Sequence, residues 1–213
     1  MLLSLRRQHP HLVPISVIII LHVVGLFGLN SAWRELFLQL THFTLIISSI
    51  IVWWQHQGWT RAELGVMVLC FAVGYGMELA GVHTGVIFGE YDYGTGFGPK
   101  VIDVPPLIGL NWAILIYATA SVSRYLFTQP LVRILLGATL MTGLDWVMEP
   151  MAIKLGFWTW ETATIPLRNY LAWFLISLVL HLVWDRASKA PSQATALAFF
   201  LIQLGFFSLL RLF

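Results

Sequence analysis

Seven apolar runs, each close to the roughly 17–25 residues needed to cross a hydrocarbon core, take up most of this chain. They fall at about 12–29, 36–54, 64–82, 104–127, 131–148, 170–184 and 195–210. Backbone in lipid finds no water to bond, so runs of this length become helices. The chain therefore reads as an all-α integral membrane protein, a bundle of about seven transmembrane helices forming one domain over residues 1–213. Composition agrees: 58% of residues are hydrophobic and 10% charged, against about 25% charged in soluble domains. The sixth run is short. The second is unusually polar (Gln39, Thr41, His42, Thr44, Ser48, Ser49), and its hydroxyls are expected to bond back to i−4 carbonyls or across to a neighbouring helix.

Several function classes drop out. A net charge of +2 with no basic cluster longer than Arg6-Arg7 gives nucleic acid no footprint. The single cysteine, Cys70, excludes an internal disulfide and a thiolate metal cage. The histidines (His9, His11, His22, His42, His56, His83, His181) are scattered, unlike the clustered boxes of a membrane di-iron oxygenase. His22 and His42 read as helix-packing hydrogen bonders. The last span has no lysine for a retinal Schiff base. Arg6-Arg7 ahead of the first run has the outline of a secretory leader. That run is long for a leader core, so it is read as the first span.

Lys and Arg counts set orientation. One side collects Arg6, Arg7, Arg61, Arg124, Arg133, Arg186 and Lys189; the other collects Arg34, Lys100, Lys154, Arg168 and Arg211. Seven against five favours a multi-pass protein of the cell (inner) membrane with its N-terminus inside and C-terminus outside. A second asymmetry holds for either orientation. The connections after the third and fifth spans share a face, and with the adjoining helix ends they carry Glu78, Glu90, Asp92, Asp103, Asp145, Glu149 and Glu161, seven of ten acidic residues. Acidic groups near membrane depth are costly and mark function.

Two segments carry the chemistry. The first runs from Glu78 to Pro106, and nine of the seventeen glycines fall between Gly74 and Gly109. Irregular backbone near the membrane persists when packed in protein or lining a cavity. The segment His83–Asp103 is therefore expected to fold back over the helix ends. The plainer reading is a surface loop whose Phe88, Tyr91, Tyr93 and Phe97 form an interfacial belt. Gly94 to Lys100 lacks the Gly-Lys-Ser/Thr ending of a phosphate loop.

The second segment runs from Thr142 to Trp173. Asp145 and Glu149, four apart, share one helix face. Two carboxylates this close in a low-dielectric setting do not both ionise readily, so one is expected to keep a proton, as a general acid requires. The alternatives are a helix-end ion pair with Lys154 or Arg168, and a Mg²⁺-diphosphate site, for which only one such carboxylate pair exists.

Together these segments resemble the membrane carotenoid-biosynthesis protein family, of carotenoid 1′-hydratase and bisanhydrobacterioruberin hydratase type. The resemblance rests on Glu78, Gly81, Thr84-Gly85, Phe88-Gly89, Tyr91 and Tyr93, then Val104-Pro105 and Trp112. It continues with Asp145, Glu149-Pro150, Trp158, Trp160, Ile165-Pro166, Asn169 and Trp173. It covers about 74–173. Two features depart from the family pattern: Glu149-Pro150 stands where Asp-Pro is expected, and the stretch before Ile165-Pro166 is shorter.

The resemblance implies hydration of the terminal double bond of an acyclic ψ end group. Partners are then a polyene substrate, water and membrane lipid, with no cofactor and no metal. Such hydration needs a proton donor, a means of tolerating a tertiary carbocation, and one delivered water. Asp145, Glu149 and Glu78 are the expected catalytic carboxyls, converging on one cavity. The aromatic faces of Tyr91, Tyr93, Trp112, Trp158, Trp160 and Trp173 suit a cation. Asn169 and the second carboxylate are expected to hold the water, and His83, Thr84 and Asp92 complete the substrate-binding set. Asp145 lies one turn deeper than Glu149 and is the expected donor, with Glu149 nearer water and ionised. The rivals are an isoprenoid transferase or cyclase, which a Mg²⁺ requirement would separate, and a non-enzymatic pigment- or lipid-binding protein.

Overall fold

The computed structural model describes residues 11–213. Seven helices follow in order: α1 (Leu12–Leu29), α2 (Arg34–Trp54), α3 (Arg61–Thr84), α4 (Leu107–Leu126), α5 (Pro130–Lys154), α6 (Leu167–Ala187) and α7 (Ala194–Leu210). Two short strands interrupt them, β1 (Tyr91–Tyr93) between α3 and α4, and β2 (Trp158–Trp160) between α5 and α6. The first six helices are long and apolar enough to cross a membrane, and α7 is apolar but shorter at 17 residues. The protein is a multi-pass membrane bundle. Large apolar side chains such as Ile20, Val68, Leu131 and Leu175 cover its outside, a surface suited to lipid rather than water.

The helices overrun the apolar runs where their ends are polar. The sixth is a full 21-residue helix because Arg168, Asn169, Asp185 and Arg186 lie on its first and last turns. The fourth begins at Leu107 instead of 104, since Val104, directly before Pro105, is held in extended backbone and bridges to Val101.

Helix α4 is the axis of the bundle: fourteen of its twenty residues are buried, so it has no lipid-facing stripe and must be surrounded. It packs against α2, α3, α5, α6 and α7. Ala113, Ala118, Ala120 and Ser121 keep its surface thin enough for neighbours to approach. The closest approach is at Gly74 on α3, where a β-carbon would stand 2.3 Å from the Trp112 ring. Gly74→Ala is expected to cost about 1–3 kcal/mol, the usual penalty for overpacking. A lowered melting temperature of the purified variant checks it; an unchanged one would mean that Trp112 moves freely aside.

Helix α3 is bounded by clear signals. Thr60 and Glu63 form a reciprocal capping box at its start. Gly85, at φ 64°, ends it with its N–H on the Gly81 carbonyl, a left-handed C-cap that glycine adopts at low cost. At that α3 start, Glu63 also accepts from Ser188 Oγ (2.6 Å), while Arg124 and Arg133 both reach Asp185. These contacts tie the loops of this face together. Within α2, Thr41, Thr44 and Ser49 bond to Phe37, Leu40 and Leu45 carbonyls, the expected i−4 pattern. The described Lys and Arg residues divide five to each face; Arg6 and Arg7, which tip the count, lie outside the described residues.

Candidate functional site

At the opposite face, the long connections after α3 and α5 turn back and pair with each other. Strands β1 and β2 run antiparallel, with Tyr91 opposite Trp160, Asp92 opposite Thr159 and Tyr93 opposite Trp158. Side chains alternate along a strand, so Tyr91, Tyr93, Trp158 and Trp160 all point inward over the helix ends. Tyr91 lies 4.9 Å from Trp160 and Tyr93 5.9 Å from Trp158, ring centre to ring centre. Both tyrosines are buried. The glycine-rich segment thus folds back as expected and is not a solvent-facing belt.

This aromatic lid feeds hydrogen bonds to the carboxylates beneath it. Glu78 Oε2 accepts from Tyr91 Oη (2.5 Å) and Tyr93 Oη (2.8 Å), and Oε1 accepts from Trp112 Nε1 (3.2 Å). Burial first, then the charge of Glu78, holds both phenols well above the usual tyrosine range, so they remain O–H donors. Glu149 Oε2 accepts from Trp158 Nε1 (3.0 Å) and Trp160 Nε1 (3.1 Å). The Asn169 amide spans the pair, donating to Glu149 Oε1 (3.3 Å) and to Asp145 Oδ2 (3.1 Å). Asp145 Oδ1 is buried with no partner among the described residues.

Asp145, Glu149 and Glu78 are all buried. Glu149 is as buried as Asp145, contrary to the expectation that the helix end would leave it wetter. Trp158 and Trp160 return over it and exclude solvent. Among the described residues no ion pair joins either carboxylate to Lys154 or Arg168. The donors around these carboxylates are phenols, indoles and an amide. That set fits an anion or a neutral acid; a cation would need those lone pairs free.

Trp112 and Trp173 stack at 4.1 Å with planes 20° apart, joining α4 to α6 beside Glu78. Three residues expected in the set lie apart from it. His83 is exposed, 3.6 Å from Asp103. Thr84 spends its hydroxyl on the Ala80 carbonyl at the end of α3. Asp92 is on the outward face of β1.

Helix α5 meets a proline, Pro150, directly after its second carboxylate. Pro150 has no N–H, which leaves the Trp146 carbonyl without its usual donor. Arg211, just beyond α7, supplies one: its Nη2 reaches the Trp146 and Val147 carbonyls, each at 2.9 Å.

A cavity of about 240 Å³ is bounded by α1, α2, α4, α5 and α7 and by Phe97 and Phe157, which pack on Trp158 of the lid; the three carboxyls themselves do not line it. Leu144 and Met148 of α5 and Asn111 of α4 line it, each next in sequence to a cluster residue. Sequence reasoning passed over Asn111. An amide inside an otherwise apolar span was the available signal.

A family model described as "Carotenoid biosynthesis protein" matches residues 36–212. The chain is similar to bisanhydrobacterioruberin hydratase of Haloarcula japonica, with 35% identity over 137 residues. The aligned stretch is 59% of this chain and 45% of that protein, so it spans less than half of the relative's length. No solved structure matches the chain.

Proposed function

We propose that this chain, which belongs to the carotenoid biosynthesis protein family, is a carotenoid hydratase that adds water across the terminal double bond of an acyclic ψ end group. The observation that carries the mechanism is the unequal sharing of donors between Asp145 and Glu149. Glu149 receives two indole N–H groups and half of the Asn169 amide; Asp145 receives only the other half and keeps Oδ1 free. Donors favour the ionised oxygen they point at. Negative charge therefore settles on Glu149, and the shared proton settles on Asp145, with Oδ1 as the atom that carries it.

In the reaction, Asp145 gives that proton to the CH carbon of the terminal alkene, whose π electrons form the new C–H bond. Positive charge appears on the dimethyl-substituted carbon. The aromatic faces of Tyr91, Trp158 and Trp160 attract this cation, and Glu149 faces it with opposite charge. A water oxygen closes the C–O bond and loses one proton to the carboxyl pair, which restores Asp145. The product is a tertiary alcohol, alkene plus water with nothing left over. Glu78, which accepts from three donors, is the anchor of the tyrosine lid. We place the work in the inner membrane, N-terminus inside, with substrate drawn from the lipid.

Expression in a lycopene-accumulating host tests the reading. Pigment heavier by one water, as read by mass spectrometry, is the expected result. Unchanged pigment in cells that contain the inserted protein would remove it.

A further inference from the structure

Among the described residues, the lid strands cover the carboxyl cluster from above. The cavity beside it is open toward lipid. On α2 its lining runs from Phe37 to Ile47, about 15 Å of helix rise, from the site face toward the membrane interior. Phe43 and Ile47, at its α2 edge, are exposed where lipid would lie. Its volume of about 240 Å³ is at or below the ordinary range for a small-ligand site. It can hold one end of a long polyene, with the remainder left among the acyl chains.

Its few polar groups are nearly all occupied. Thr41 and Thr44 bond to carbonyls of their own helix. His22 bonds to the Ile18 carbonyl and to Gln203. Asn111 is the exception: it is more than nine-tenths buried, lines the cavity, and its Nδ2 has no partner among the described residues. A buried amide donor is costly to leave unpaired, and a hydrocarbon wall has no use for one. What it fits is an oxygen brought in with the ligand.

The geometry points to this cavity as the seat of the reacting end of an acyclic polyene, entered sideways from lipid, with Asn111 Nδ2 donating to the oxygen that ends up on the product. That oxygen is the captured water before C–O bond formation and the tertiary hydroxyl afterwards. The assignment rests on the hydratase reading for the identity of the oxygen, and on the cavity alone for the polyene.

The two parts are tested separately in purified protein in lipid nanodiscs. Lycopene is the probe, and quenching of tryptophan fluorescence reports its binding. Thr44→Phe, which fills the cavity, is expected to weaken binding at least 10-fold. Ile50→Phe, of equal bulk on the lipid side of the same helix, is expected to leave it unchanged. If Thr44→Phe does not accumulate, Thr41→Phe, one turn nearer the site, is measured in its place. Asn111→Leu, similar in size but without the donor, is expected to bind lycopene normally and make tertiary alcohol at least 10-fold more slowly. Wild-type binding by the cavity-filling variant would overturn the seat, as would failure of the wild-type protein to bind lycopene. Undiminished turnover by Asn111→Leu would overturn the role of Asn111. If the wild-type protein binds lycopene, loses it on Thr44→Phe, and adds no water, the seat stands and the hydratase reading falls.

Discussion

Asp145→Asn is expected to lower product formation at least about 100-fold, the usual loss when a general acid is removed, while the protein still inserts and still binds polyene. The substitution keeps the side chain's shape and still offers the Asn169 amide an oxygen to bond. What it removes is the transferable proton at Oδ1, the one carboxyl oxygen of the cluster with no partner among the described residues. Glu149→Gln is expected to do less harm, since it takes away a negative charge facing the cation and leaves the donor in place. Single-turnover measurements on purified protein in lipid separate these outcomes from losses of substrate binding. Near-normal turnover by Asp145→Asn would show that the proton comes from elsewhere.

Glu78→Leu is expected to abolish folded protein rather than catalysis alone. The leucine would strand two phenol O–H groups and one indole N–H that now bond to this carboxylate. Each buried donor left unpaired costs about 1–3 kcal/mol, so three of them approach the total stability of an ordinary domain, about 5–15 kcal/mol. The measurement is the yield of monodisperse protein after detergent extraction, compared with wild type. A well-behaved, thermally stable Glu78→Leu protein would show that the tyrosine lid is held by other contacts.

The number of helices was legible because hydropathy reports lipid exposure directly, and most of this bundle faces lipid. Their ends were less so: Arg168, Asn169 and Asp185 lie within α6, yet their polarity hides them from a hydropathy window. The inward fold of the glycine-rich segment was legible from its composition. What it pairs with was not. Tyr91-x-Tyr93 and Trp158-x-Trp160 each carry the period of two that marks a strand, but three residues are too few to announce one. The register between segments more than sixty residues apart is set by the carboxylates beneath them. That register also explains why Asp92 fell outside the cluster, since alternation sends the residue between two inward tyrosines outward. The proximity of Asp145 and Glu149 followed from helical spacing alone. The cavity could not be read, because its walls are mostly ordinary apolar residues drawn from five helices and two loops.

The proline in α5 has a consequence for the end of the helix that carries the two carboxyls. Glu149 keeps its own N–H to donate four residues back, so the turn from Asp145 to Glu149 is an ordinary helical one. The rung that Pro150 lacks is the next one, to the Trp146 carbonyl, and the missing donor arrives from Arg211 beyond α7. The last turn of α5 is thus bolted from outside, and the end of α7 is held to it through one guanidinium.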